Sequence, residues 1–184
     1  EGRNFQMQYR RTWVPGGTYF FTVNLANRSQ TLLVDYVEIL REAFRKVKCQ
    51  HPFQIDAIVI LPDHLHTLWT LPPEDADYAT RWMLIKGGFS RLLPKGEWRN
   101  QSRRARQERG IWQRRYWEHL IRDDRDFEGK INYIHYNPVK HGYVSRPADW
   151  PFSSIHQYIR EGLLPPDWGC NGIPDDFEGE FGER

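Results

Sequence analysis

Residues 53–71 read FQIDAIVILPDHLHTLWTL. This stretch contains two apolar runs, rich in Ile, Val, Leu and Trp, on either side of Pro62-Asp63. Each run is shorter than a typical helix, so the pattern predicts two strands, at 53–61 and 65–71. Because a very short turn can join antiparallel strands, we expect the two strands to form a tight hairpin.

The sequence on either side of the hairpin predicts a regular alternation of strands and helices. In chain order, the predicted elements are a strand at 19–25, a helix at 33–49, the two hairpin strands, a helix at 78–92, a strand at 116–121 and a helix at 123–137. The last helix is expected to end at Asn137, because Pro138 makes continuation unfavourable. This order predicts an α+β protein with a ferredoxin-like β-α-β-β-α-β antiparallel sheet and an extra C-terminal helix that carries Tyr133.

Length and composition are those of one folded domain. The chain has 184 residues, and aromatic residues make up 15% of it, far more than a disordered chain carries. The two cysteines form no CxxC pair and no apolar run could span a bilayer, so we expect a cytoplasmic protein that does not contact a membrane. We assign 1–172 to one catalytic domain with a basic N-terminal segment and a packed C-terminal extension. Residues 173–184 hold five acids and one base, and form either a mobile tail or an autoinhibitory strip.

Two histidines in the second hairpin strand are separated by a single residue. Since side chains alternate across a strand, His64 and His66 should face one side of the sheet and Leu65 the other. Two neutral imidazoles side by side can chelate one metal ion. The pair is also compatible with exposed histidines on a solvated sheet face.

Tyr133 and Asn137 lie four residues apart in the last predicted helix, which places a phenol and an amide on one helix face. A tyrosine can act as a covalent nucleophile, and its attack on a phosphate gives a phosphotyrosyl intermediate. The amide oxygen of Asn137 is a suitable hard ligand for Mg²⁺ or Mn²⁺ beside the histidines. The alternative is structural, with a buried tyrosine ring and an asparagine that caps the helix.

Basic residues concentrate at 99–115, where seven arginines accompany one acid. Such a density suits contact with phosphates, and the many aromatic residues favour single-stranded nucleic acid, whose bases stack on rings. A solvated loop is the alternative. The candidates for contact with the nucleic-acid backbone are Arg103, Arg104, Arg106, Arg114 and Arg115.

Four further motifs accompany the His-Leu-His strand. They are GGTYFFTVN at 16–24, WEH at 117–119, NYIHYNPVKHG at 132–142 and DWPFSS at 149–154. Together, in this order and over the span from about Tyr9 to Trp168, they resemble the bacterial REP-associated tyrosine transposases. That family is related to the IS200/IS605 single-tyrosine transposases.

The resemblance implies a His-hydrophobic-His (HUH) catalytic domain in which His64 and His66 bind Mg²⁺ or Mn²⁺ and Tyr133 attacks a DNA phosphate. Asn137 matches the position of a further metal ligand. The implied product is a 5′-phosphotyrosine with a free 3′-OH, which can later reverse the reaction and join strands. The implied substrate is a single-stranded hairpin of repetitive extragenic palindromic DNA. We expect a monomer, with a dimer as the alternative.

Other residues take on expected roles through the same resemblance. Tyr9, Arg10 and Arg11 correspond to an N-terminal basic segment that could read unpaired bases. Lys86 is a further candidate for contact with DNA. The acceptor of the tyrosine proton stays open: either the metal lowers the pKa of the phenol directly, or Lys86, His135 or His119 assists.

Two other hypotheses fit parts of the pattern. A domesticated protein that binds structured single-stranded nucleic acid without cutting it would need neither the histidine pair nor the tyrosine. A metal-dependent phosphodiesterase that uses water would need the histidines but not Tyr133. The joint presence of His64, His66, Tyr133 and Asn137 favours the tyrosine enzyme.

Overall fold

The computed structural model describes residues 13–172. The elements in this part of the chain are β1 (Thr18–Asn24), α1 (Leu32–Asp35), α2 (Val37–Gln50), β2 (Gln54–Ile60), β3 (His64–Thr70), α3 (Tyr78–Leu92), α4 (Gln101–Ala105), β4 (Trp117–Leu120), α5 (Asp124–Lys140) and α6 (Ile155–Arg160). A turn of 3₁₀ helix at Pro147–Asp149 separates α5 from α6. The helix that carries Tyr133 is therefore followed by further helical structure and is not the last one in the chain. Tyr9, Arg10, Arg11 and the acidic segment 173–184 lie outside the described residues.

The four predicted strands are present and form one sheet in the order β2-β3-β1-β4, in which every neighbouring pair is antiparallel. The predicted hairpin of β2 and β3 is confirmed. Its turn is closed by a hydrogen bond of 2.9 Å from the backbone N–H of Leu61 to the carbonyl of His64. Among residues 13–172, no helix is long and apolar enough to cross a membrane.

One face of the sheet is the larger part of the hydrophobic core. Alternation along β1 places Tyr19, Phe21 and Val23 on this face, where α2 and α3 cover them. Trp82 of α3 stacks on Trp69 of β3 with ring centroids 4.3 Å apart. The aromatic residues of α2 and α3, Phe44, Tyr78, Trp82 and Phe89, are thus core residues.

The other face of the sheet is covered by α5. Its core combines Phe20 of β1 and Leu68 of β3 with Tyr133 and Ile134 of the helix, all fully buried. Since Thr22 and Asn24 alternate in phase with Phe20, their side chains also lie on this face. The predicted catalytic residues thus lie between the sheet and α5.

Helix α5 begins as expected but ends later than the sequence suggests. The side chain of Asp123 accepts a hydrogen bond from the N–H of Asp126 and caps the N-terminus. The predicted end at Asn137 is wrong, because Pro138 lies inside the helix, which continues to Lys140. The chain turns away just after the helix at Gly142, whose φ of +71° permits the bonds from Tyr143 N–H to Pro138 O and from Gly142 N–H to Val139 O.

Candidate active site

The two histidines of β3 are buried side by side beneath α5. His64 and His66 are 1% and 0% exposed, so they are not the solvated histidines of the alternative hypothesis. Their ring centroids are 4.9 Å apart. In the antiparallel register His66 is paired with Thr22 and His64 with Asn24, which places these four side chains on one face.

Each imidazole has its Nδ1 atom engaged by a neighbouring side chain. Nδ1 of His66 lies 2.8 Å from Oγ1 of Thr22, and Nδ1 of His64 lies 2.7 Å from Oδ1 of Asp63. Arg28 forms an ion pair with the other oxygen of Asp63. Contacts of this kind fix the rotation of a ligating histidine and occupy Nδ1, so that Nε2 is the nitrogen that would bind a metal. The carboxylate of Asp63 only accepts, so it also favours the Nδ1–H tautomer of His64.

Both histidines are held in the neutral form that a metal ligand requires. Burial lowers the pKa of His64, although the bond to Asp63 opposes this shift. Burial lowers the pKa of His66 well below its usual value, and the neighbouring His64 adds to the effect. Burial by itself would raise the pKa of Asp63, but its bonds to His64 and Arg28 outweigh burial and bring it to about 2.

Tyr133 and Asn137 lie one turn apart on the buried face of α5, and both are fully buried. The phenol ring of Tyr133 contacts the imidazole of His66 edge to face, with centroids 5.1 Å apart. It also contacts the ring of Phe20, at 5.9 Å. The predicted nucleophile and the predicted ligand His66 are thus neighbours in space, although they lie 67 positions apart in the sequence.

Two residues of this site were not predicted from the sequence. The Nζ atom of Lys140 donates a hydrogen bond of 3.1 Å to the hydroxyl oxygen of Tyr133 and lies 4.8 Å from the centre of its ring. The ring of His141 lies 5.1 Å from that of His64. The seven-residue spacing from Tyr133 to Lys140, two turns of helix, is a sequence signal that could have identified the lysine.

The three side chains considered as proton acceptors have partners elsewhere. Nζ of Lys86 donates to the carbonyl of Gln113 at 2.7 Å. Nε2 of His135 lies 2.9 Å from Oγ of Ser154. Nε2 of His119 lies 2.7 Å from Asp126. The hydroxyl oxygen of Tyr133 instead accepts a hydrogen bond from Lys140.

The donor set fits a metal ion only if amide oxygens complete it. Within residues 13–172, no three His, Cys, Asp or Glu side chains are grouped so as to hold a metal. Among the same residues, Nε2 of His64 and Oδ1 of Asn24 are buried and have no hydrogen-bond partner. A buried nitrogen and a buried oxygen of this kind, opposite each other across β1 and β3, are compatible with a hard divalent ion.

The arginine-rich segment forms a basic surface beside α3, away from the sheet face that carries the histidines. A cavity of about 590 Å³ is lined there by Lys86, Arg103, Arg106 and Arg114, among others. Arg103 donates twice to the carbonyl of Trp112, and Arg114 pairs with Glu108. Arg104, Arg106 and Arg115 are exposed.

Two other residues shape this basic surface and were not predicted. Arg109 pairs with Glu97 and donates to the carbonyls of Ser90, Leu93 and Pro94. It therefore holds the loop after α3 in place. The ring of Trp98 is 80% exposed, which makes it available for stacking against a base.

Comparison with known proteins identifies the family. Residues 14–137 match the family model described as "Transposase IS200 like". The chain is 50% identical over 166 residues to a REP-associated tyrosine transposase of Haemophilus influenzae, covering 89% of this chain and 93% of the relative. This chain belongs to the REP-associated tyrosine transposases, within the IS200-like family.

Further relatives support the same membership. A REP-associated tyrosine transposase of Escherichia coli is 45% identical over 177 residues, which cover 96% of this chain and 97% of that protein. The solved structure of a REP-associated tyrosine transposase bound to a REP hairpin is 44% identical. It superposes with a TM-score of 0.81 over 96% of this chain and 97% of that chain. The family suggested by the motifs of the sequence is thereby confirmed.

Proposed function

We propose that this chain is a metal-dependent transposase that cleaves and rejoins single-stranded hairpins of REP DNA through a 5′-phosphotyrosine intermediate. The observation that carries the proposal is the edge-to-face contact between Tyr133 and His66, which joins a nucleophile to a histidine pair. The strand order β2-β3-β1-β4 supports a ferredoxin-like assignment for the sheet.

His64, His66 and Asn137 are the proposed ligands of Mg²⁺ or Mn²⁺. The neutral histidines, oriented through Nδ1, and the buried amide on the facing helix support this assignment. When bound, such an ion supplies Lewis-acid polarisation of a phosphate and stabilises a leaving oxygen.

Tyr133 is the proposed nucleophile. Its hydroxyl oxygen attacks the phosphorus in line with the 3′ oxygen, so that the O–P bond to tyrosine forms as the P–O3′ bond breaks. The phenol loses its proton and the departing 3′ oxygen gains one, which leaves a free 3′-OH and a 5′-phosphotyrosine. One diester replaces another, so the bond energy is conserved and the reverse reaction can join strands without an external energy source.

The basic surface is the proposed contact for the hairpin. Arg104, Arg106 and Arg115 are exposed and can reach phosphates, while Lys86, Arg103 and Arg114 line the cavity beside them or its rim. The name of the solved relative, a transposase bound to a REP hairpin, supports a hairpin as the partner. Tyr9, Arg10 and Arg11 remain proposed contacts for unpaired bases, and a monomer remains the proposed state.

The test is incubation with 5′- or 3′-labelled REP hairpins and Mg²⁺ or Mn²⁺, followed by a denaturing gel. We expect a metal-dependent protein–DNA adduct that carries the 3′ label, and a shortened free strand with a 3′-OH that carries the 5′ label; both should be absent from Tyr133→Phe. Cleavage that persists in Tyr133→Phe would indicate a phosphodiesterase that uses water. Tight binding without any cleavage by the wild-type protein would indicate a DNA-binding protein that does not cut.

A further inference from the structure

We propose that Lys140 is a catalytic residue, whose ammonium group positions the Tyr133 oxygen for attack and then binds the phosphate of the covalent adduct. This inference rests on the proposed function, because it assigns a partner to the proposed nucleophile. Lys140 has no role in the sequence-based expectations for the metal site or for DNA binding.

The contact follows from the geometry of α5. Seven residues correspond to nearly two full helical turns, so Lys140 and Tyr133 lie on the same helix face. Helical side chains tilt towards the N-terminus, which directs the lysine stem back over the preceding turns. The result is the hydrogen bond of 3.1 Å from Nζ to the phenol oxygen.

An ammonium group at this position has a restricted chemical role. It is a donor only, so the phenol oxygen accepts the bond and its own proton points elsewhere. The donated bond limits rotation of the hydroxyl and leaves a lone pair for the phosphorus. Lys140 keeps all its protons throughout the reaction, and the proton of Tyr133 leaves to another acceptor.

The location of Lys140 also indicates how a phosphate reaches a buried hydroxyl. Tyr133 is 0% exposed, whereas Lys140 is exposed at the C-terminal end of the helix. Lys140 thus connects the buried nucleophile to the surface, and we infer that the DNA phosphate approaches Tyr133 along this side chain. Once the O–P bond has formed, the phosphorus that bears the non-bridging oxygens is bonded to the oxygen that Nζ already contacts. A cation beside it stabilises their charge.

The test compares Lys140→Met and Lys140→Arg with the wild-type protein in single-turnover adduct formation on a labelled REP hairpin with Mg²⁺. We expect Lys140→Met to be slower by about 100-fold, the usual loss for one preorganised donor in an active site. Lys140→Arg keeps the charge and should recover part of the rate. Lys46→Met removes the same charge from an exposed position on α2 and should react at the wild-type rate.

A binding measurement separates this role from a structural or DNA-binding one. The dissociation constant for the hairpin, measured in EDTA, and the melting temperature should change little in Lys140→Met. Should that variant not fold, Lys140→Gln takes its place. A wild-type rate in any folded variant that lacks the charge overturns the inference, as does a rate loss explained by a matching loss of hairpin affinity. Absence of an adduct from the wild-type protein overturns the proposed function itself.

Discussion

The hydroxyl oxygen of Thr22 lies 2.8 Å from Nδ1 of His66, across the pair of strands β1 and β3. The contact joins a residue of the first strand to a proposed metal ligand of the third strand. It depends on the register of the sheet, since a shift by one residue would move Thr22 to the opposite face. The sheet therefore sets the orientation of the imidazole as well as its position.

Replacing Thr22 with Val should weaken metal binding while preserving the fold. The change keeps the β-branched shape but removes the partner of Nδ1, and loss of such a partner typically costs about 10-fold to 100-fold in metal affinity. Titration with Mn²⁺ by calorimetry measures the effect. Thr67→Val is the matched control, because Thr67 is buried in β3 next to His66 but bonds the carbonyl of Ala57. Equal losses in both variants would contradict the assignment.

Asp63 should have a similar role for His64. Asp63→Asn retains the shape of the side chain but removes the charge that pairs with Arg28 and orients Nδ1 of His64. We expect Mn²⁺ affinity to fall by about 10-fold or more. Asp56→Asn provides a control at the far end of β2, where the carboxylate accepts from Thr70 instead. Unchanged Mn²⁺ affinity in Asp63→Asn would refute the positioning role.

Of two neighbouring arginines of the basic surface, Arg109 should be needed for stability and Arg106 should not. Arg109→Met breaks the ion pair with Glu97 and three bonds to carbonyls, so we expect a loss of about 2 to 4 kcal/mol in the free energy of unfolding. Arg106→Met removes an exposed side chain and should leave that free energy unchanged.

Hairpin binding at several salt concentrations completes the comparison. If Arg106 contacts a phosphate, the slope of log K against log salt should become shallower by about one unit in Arg106→Met. An unchanged slope would remove Arg106 from the proposed DNA contacts. Denaturant titration of both variants gives the unfolding free energies.

The strands and the helix faces could be predicted because each depends on a local period in the sequence. The alternation that places His64 and His66 on one side is such a pattern. The bond between Thr22 and His66 could not be predicted, because it joins residues 44 positions apart and requires the sheet register. The rule that proline ends a helix failed at Pro138, which lies inside α5. The helix ends one turn later, where the turn at Gly142 satisfies the carbonyls of Pro138 and Val139.

The buried His135 should make the protein less stable in mild acid. Burial, assisted by the nearby His156, lowers the pKa of His135 to about 3, whereas a histidine in the unfolded chain titrates near 6.5. Between these two values the unfolded state binds a proton that the folded state does not, so this contribution to stability is complete above pH 6.5 and is lost as the pH falls. Between these two pKa values, the free energy of unfolding falls by about 1.4 kcal/mol for each unit by which the pH is lowered.

Chemical denaturation from pH 8 to pH 4, in EDTA so that metal binding does not contribute, measures this dependence. His135→Gln has no titrating group but can still bond Oγ of Ser154, which is 2.9 Å from the imidazole in the wild-type protein. The variant should lose less stability in acid. Plots of unfolding free energy against pH for the two proteins should differ in slope by the amount that corresponds to about one proton. The other buried histidines contribute to both proteins and cancel in this difference. Identical slopes would mean that His135 is not kept neutral by burial in the folded state.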